Sequence, residues 1–202
     1  MNGEKHVVVV DDDEAVRESL QALLVTAGHK VTTYPSGETF LNAPDHNRCG
    51  CVLLDIRMPG LSGFDVQRRL AEEGNQTPVV VVTGNADVQL AVQALKEGAM
   101  DLIEKPYTDV LILEKVSNAL AAAEEQSEER QQTQETRERI SRLTPREYDV
   151  LKQLIDGHQN KVIAQKLGIS HRTVEIYRAK VMQKMQAKNL ADLVRATLAA
   201  GL

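Results

Sequence analysis

The sequence predicts two folded parts: a doubly wound α/β domain built on a five-stranded parallel sheet, then a small all-α domain. Three observations predict this. Five short β-branched runs alternate with helical patterns over the first ~120 residues. From Leu143 onward the periodicity becomes helical only. The net charge of −5 is divided unevenly: residues 1–140 carry 13 Lys+Arg against 24 Asp+Glu, and residues 141–202 carry 11 against 5. An acidic part is thus followed by a basic part suited to a polyanion.

The strand runs are His6–Val10, Lys30–Tyr34, 51–54, Val79–Thr83 and Asp101–Glu104. The first, third and fourth are apolar without alternation, as strands buried on both faces should be. Between them, helical patterns cover 14–27, Gly37–Leu41, 63–73, 88–97 and the stretch from Asp109 onward. Gly28, Gly74 and Gly98 stand just past three of these, where a left-handed cap is wanted. Strand-helix alternation of this kind has the flavodoxin-like doubly wound order as its natural candidate.

Residues 121–139, AAAEEQSEERQQTQETRER, lack Gly, Pro and bulky apolar side chains. All types there except Ser and Thr are good helix formers. The stretch reads as a solvated helical linker, spanning 124–142; a short coiled coil is the alternative, but its a and d positions lack apolar residues. Beyond it, Thr144-Pro145-Arg146-Glu147 is a helix start with a capping box and Pro at the first position. Val150, Leu151, Leu154 and Ile155 form its apolar stripe. Residues 161–167 give a short second helix ended by Gly168; Ser170 caps a third, 172–185; a fourth runs from Leu190 to about Ala200. Short helix, Gly-containing turn and longer helix make the helix-turn-helix layout.

Several classes are excluded. No run of 18 apolar residues exists for a membrane span. The four-valine run near the start is too short for a signal peptide and leads straight into acids. Cys49 and Cys51 are too close to close a useful loop, with no zinc-like cluster beside them. They read as reduced strand-entry residues of a cytoplasmic protein.

Ligands of a doubly wound sheet bind beyond the carboxyl ends of its strands. Asp11 and Asp12 follow the first strand, Asp55 ends the third, Thr83 the fourth, and Lys105 follows the fifth. Converging carboxylates repel unless a cation sits among them, and hard oxygen ligands favour Mg²⁺. A cation, a lysine and a hydroxyl suit a transferring phosphoryl group, and a carboxylate can be its nucleophile. Single acids at strand ends often only cap the next helix; the joint placement of five groups favours a site.

VVDDDEAVR, LLDIRMPGLSG, VVTGNAD and EKPY together resemble the receiver domain of two-component response regulators, over residues 5 to ~123. The resemblance implies a receiver over 1–123 whose Asp55 accepts phosphoryl from a sensor histidine kinase. It implies Mg²⁺ held by Asp11, Asp12, Asp55 and the backbone carbonyl of Arg57. Thr83 and Lys105 would contact the phosphoryl oxygens, with Lys105-Pro106 as the family's cis peptide. Such a domain promotes its own phosphoryl transfer and loss without being a dedicated enzyme. One departure is Leu102, which stands where the family usually carries an aromatic switch residue; Tyr107, beyond the lysine, reads as packing.

In a helix-turn-helix the third helix here enters the major groove. Val174, Tyr177, Val181 and Met185 recur at core spacing. Arg172, Glu175, Ile176, Ala179, Lys180 and Gln183 then face outward, with Arg suited to guanine, Glu to cytosine and Ile to the thymine methyl. Lys161, His171, Thr173 and Lys184 read as phosphate contacts; for Gln183 and Lys184 a plain solvated face is the equal alternative. The segment from LTPREYDVL to KVMQKM resembles the LuxR-type helix-turn-helix, a match covering 143–202. Receiver plus this module resembles the FixJ/NarL class of transcription regulators, and the long linker and residues 83–87 look closer to the FixJ side of that class. The resemblance implies promoter DNA as a partner, RNA polymerase as a further one, and dimerisation on phosphorylation. Val92, Lys96 and Asp101 form a mixed face suited to a two-fold contact. Ala191, Leu193, Val194 and Leu198 on the last helix serve dimerisation or simply pack.

Two rivals remain. A haloacid-dehalogenase-type phosphatase also uses a strand-end Asp, but needs a second acid two residues later, where Arg57 stands. An output domain that binds protein or RNA is opposed by the basic balance and by the outward Arg and Lys of one helix.

Overall fold

The computed structural model describes residues 6–44, 46, 49–84 and 88–202. The first compact unit ends at Gln126 and the second begins at Ser127. In the first, five parallel strands are ordered β2-β1-β3-β4-β5, with β1 His6–Val10, β2 Lys30–Tyr34, β3 Cys51–Asp55, β4 Val79–Thr83 and β5 Asp101–Glu104. This is the flavodoxin-like order, and its switch point lies between β1 and β3. The helices are α1 Glu14–Thr26, α2 Gly37–Leu41, α3 Gly63–Glu72, α4 Val88–Lys96 and α5 Asp109–Ser141. Past three of them, Gly28, Gly74 and Gly98 have φ of +89°, +68° and +94°, conformations that a Cβ would strain.

Period-two alternation divides the strands between two cores. Val8, Val10, Val52, Leu54 and Val81 pack with Phe40 of α2, Val66 and Leu70 of α3 and Ala94 of α4. Val7, Val9, Leu53, Val80 and Val82 pack with Leu20 and Leu24 of α1 and with Ile112, Val116 and Ala119 of α5. Both faces being covered explains the unbroken valine and leucine runs. Cys49 and Cys51 are free and buried. Burial pushes both thiols up, Cys49 to about 11, so they pack as small hydrophobes. Among the described residues no helix is long and apolar enough to cross a membrane.

The second unit holds the end of α5 with α6 Pro145–Ile155, α7 Asn160–Leu167, α8 His171–Met185 and α9 Leu190–Ala199. The Thr144 capping box forms as read: Thr144 Oγ1 accepts from the Glu147 N–H and Glu147 answers to the Thr144 N–H. Val150, Leu151, Leu154, Ile163, Val174, Val181, Met185 and Leu193 make one core. The linker is helical, as its composition predicts, and it continues the preceding helix: α5 is one helix of 33 residues, since nothing in the stretch stops a helix. It differs from the sequence reading in not being wholly solvated. Thr136 is buried, Ile140 joins the C-terminal core, and Arg137 Nε donates to the Ala200 carbonyl at 3.1 Å.

Candidate functional site

Parallel strands end at one edge, so β1, β3, β4 and β5 bring five side chains together there. Asp11, just past β1, is buried; Asp12 beside it is exposed; Asp55 closes β3; Thr83 closes β4 and is fully buried. The Lys105 N–H donates to the Thr83 carbonyl at 2.8 Å, which fixes the lysine beyond β5 next to that threonine. Carboxylate oxygens of Asp11, Asp12 and Asp55 lie within 4.8 Å of one another. Lys105 Nζ donates to Asp11 Oδ2 at 2.6 Å and stands 3.8 Å from Asp55 Oδ1. The Lys105-Pro106 peptide is cis. The third acid of the run, Asp13, is a helix cap instead, accepting from the Ala15 and Val16 N–H groups.

The electrostatics are those of a site short of positive charge. Burial pushes the Asp55 carboxyl up; Lys105 opposes this, and Asp11 and then Asp12 add to it. Burial pulls the Lys105 ammonium down, but its bond to Asp11 and the charge of Asp55 outweigh that and hold it above the usual lysine range. Three hard oxygens this close fit a small divalent cation. Thr83 Oγ1 is buried and finds no hydrogen-bond partner among the described residues. A buried hydroxyl so placed costs about 1–3 kcal/mol. Gly63 has to be glycine, because a Cβ there would lie 2.4 Å from the Asp55 carbonyl oxygen.

The structure adds Arg17, which sequence reading passed over. Its Nη1 donates to the Asp11 carbonyl at 2.8 Å. The signal was present: six residues after Asp11, one turn into α1, its side chain reaches back over the strand end. Arg57 lies exposed in the loop leaving β3. Leu102 packs against the core that contains Val81, its β4 partner in register. Tyr107 packs with the opposite core. Asn85, Ala86 and Asp87, part of the motif after β4, lie outside the described residues.

On α4, Val92 is 46 % exposed and Lys96 is exposed. Asp101 already has a partner within the chain, Lys115 Nζ at 2.7 Å. A two-fold contact through Asp101 therefore competes with this pair.

In the second unit α7 and α8 form the helix-turn-helix. Val174, Val181 and Met185 are buried and Tyr177 packs on them. Arg172, Glu175, Ile176, Ala179 and Lys180 are exposed on α8, and Lys161 is exposed on α7. His171 Nδ1 faces Glu175 at 3.6 Å, and the Thr173 hydroxyl is engaged with the Ser170 cap at 2.7 Å. Lys184 has partners within the chain. Its ammonium donates to Glu147 Oε2 at 2.6 Å and to the Arg142 carbonyl at 3.3 Å. That bond and the Thr144 N–H bring the buried Glu147 carboxyl down to about 2. On α9, Leu193 belongs to the core whereas Leu198 is largely exposed.

Comparison with known proteins gives two family matches. Residues 7–117 match the response regulator receiver domain, and residues 141–197 match the bacterial regulatory proteins of the luxR family. The transcriptional regulatory protein FixJ of Bradyrhizobium diazoefficiens is 42% identical over 202 residues, all of this chain and 98% of that protein. FixJ of Azorhizobium caulinodans is 46% identical over 196 residues, 97% of this chain and 93% of that protein. Among solved structures, the response regulator StyR has a TM-score of 0.80 at 36% identity, covering 96% of this chain and 98% of that one.

Proposed function

The chain belongs to the response regulators that join a receiver domain to a LuxR-family regulatory domain, and from that premise we propose how its residues divide the work. It is a transcription regulator controlled by phosphorylation. A phosphohistidine of a sensor kinase is the donor. An Asp55 carboxylate oxygen attacks phosphorus, the N–P bond breaks, and the departing imidazole keeps the electron pair. Lys105 and the Thr83 hydroxyl bind the peripheral oxygens, where the transferring charge lies. Asp11, Asp12, Asp55 and the Arg57 carbonyl would hold Mg²⁺, which would supply positive charge against that of the phosphoryl group. The observation that carries this reading is the buried Thr83 Oγ1, which has no hydrogen-bond partner among the described residues, at the same strand edge as Asp55 and Lys105. The domain promotes its own phosphorylation and dephosphorylation and is no dedicated enzyme: two residues past Asp55 stands Arg57, not the acid a haloacid-dehalogenase-type phosphatase needs.

The output is promoter DNA binding in the cytoplasm through α8, with RNA polymerase as the next partner. Arg172, Glu175, Ile176, Ala179 and Lys180 meet base edges; Lys161, His171 and Thr173 meet phosphates. Mass spectrometry after incubation with Mg²⁺ and acetyl phosphate tests the first half: one base-labile phosphoryl group on Asp55 is expected, and stoichiometric labelling elsewhere overturns it. A salt-titrated duplex gel shift tests the second. Arg172→Ala should lose about 1–3 kcal/mol of discrimination at particular base pairs. Lys161→Ala should weaken all duplexes alike and lower the salt slope by about one. The reverse pattern means that α8 docks in another orientation.

Phosphorylation drives dimerisation through the face of Val92, Lys96 and Asp101, placing two helix-turn-helix units on half-sites about one helical turn apart. Light scattering with and without phosphodonor should show the dimer for wild type and the monomer for Lys96→Glu. A phosphorylated protein that binds DNA more tightly yet stays monomeric on it excludes this route.

A further inference from the structure

The loop that leaves the phosphoacceptor strand is fastened at two points. At its base the Gly63 N–H donates to the Ile56 carbonyl at 3.0 Å. Further along, the Leu61 N–H donates to Glu38 Oε1 at 2.9 Å. Glu38 sits in the first turn of α2, 23 residues away in the chain, and phosphoryl transfer as described above makes no use of it. Gly60, at φ +79°, faces the same oxygen: a Cβ there would lie 2.5 Å from Glu38 Oε1. The carboxylate thus fills the space that a side chain at position 60 would take. Its own backbone N–H, and then that of Leu61, hold it below the usual carboxylate range, so it accepts as an anion and the bond is charge-assisted. Residues 57–60 lie between the two fastenings, and the Arg57 carbonyl is among them.

From this we infer that Glu38 is a positioning residue for the Mg²⁺ site: through the Leu61 N–H its carboxylate holds the loop so that the Arg57 carbonyl stands in register with Asp55. The inference rests on the receiver reading given above. Groups that orient metal ligands without touching the metal commonly govern affinity by 10–100-fold, and a backbone carbonyl, having no side-chain torsion of its own, is oriented only by its loop.

Calorimetric titration of the full chain with Mg²⁺ tests it, with labelling by acetyl phosphate at saturating Mg²⁺ as the second readout. Glu38→Ala should raise the Mg²⁺ Kd about tenfold, while saturating Mg²⁺ brings the labelling rate back towards wild type. Glu38→Gln, whose Oε1 still accepts from Leu61, should stay close to wild type. Gly60→Ala, which pushes on the same carboxylate and also strains a backbone at φ +79°, should weaken Mg²⁺ at least as much as Glu38→Ala. A folded Glu38→Ala with wild-type affinity overturns the inference. So does equal weakening by Ala and Gln, which would trace the effect to charge and not to the hydrogen bond. If Glu38→Ala fails to fold, the Gly60→Ala and Glu38→Gln pair decides: wild-type affinity in Gly60→Ala overturns the inference. A wild-type chain that binds no Mg²⁺ defeats the receiver reading itself, a result distinct from any of these.

Discussion

Asp55→Asn is expected to abolish phosphoryl acceptance completely and, without Mg²⁺, to make the receiver more stable at neutral pH. The first effect follows from chemistry: the amide has no anionic oxygen to attack phosphorus, and mass spectrometry should find no base-labile phosphoryl group. The second follows from linkage. Burial, opposed by Lys105 and reinforced by Asp11 and Asp12, raises the folded carboxyl above its ordinary value. A carboxyl raised on folding costs nothing below the ordinary carboxylate range, where both states hold the proton. The cost sets in as pH rises from the unfolded towards the folded value and is complete above it. Asn has no such charge, and it is near-isosteric, so the packing around β3 stays. Thermal melts from pH 3 to pH 8 should therefore show the variant gaining on wild type as pH rises, with the difference closing near pH 3. Added Mg²⁺ should erase the gain by stabilising the wild type more than the variant, which keeps Asp11 and Asp12 but has lost one anionic ligand. A variant less stable than wild type at pH 8 without metal would mean that the Lys105 pair, at 3.8 Å, outweighs burial and repulsion.

Lys184→Met carries the second large effect, and it falls on the other domain. Removing the ammonium leaves the buried Glu147 carboxylate with Thr144 as its hydrogen-bond partner among the described residues. Breaking a buried pair from one side costs about 3–5 kcal/mol. Lys184 keeps 38 % of its side chain in water, so solvent screening brings the expected loss to about 2 kcal/mol. The pH dependence distinguishes the cause. Glu147 is lowered in the fold to about 2, so its contribution is present above the ordinary glutamate value and is lost as pH falls towards 2. Wild type should lose stability steeply over that window, and Lys184→Met should lose less, because most of the contribution has already gone. The DNA salt slope should not change. An unchanged melting temperature together with a salt slope lower by about one would return Lys184 to the role of phosphate contact.

The elements were legible in the chain because each is written locally. Valine and leucine runs mark strands covered on both faces. Thr144-Pro145-Arg146-Glu147 and Ser170 mark helix starts, and Gly28, Gly74 and Gly98 mark ends. The edge that carries the candidate site was legible for the same reason. Once parallel strands alternate with helices, Asp11, Asp12, Asp55, Thr83 and Lys105 fall at one edge of the sheet without further information. Only the tertiary structure decided which charged groups pair. Lys184 with Glu147, Asp101 with Lys115 and Glu38 with the Leu61 N–H join residues 37, 14 and 23 positions apart. A side-chain charge on a helix satisfies the local pattern equally well in water or against a distant partner, and the two differ by little energy until packing removes the water. The end of α5 obeys the same logic. Its composition determines a helix, but whether Ile140 is solvated depends on the core of α6, α7, α8 and α9, which forms only when residues far along the chain come together.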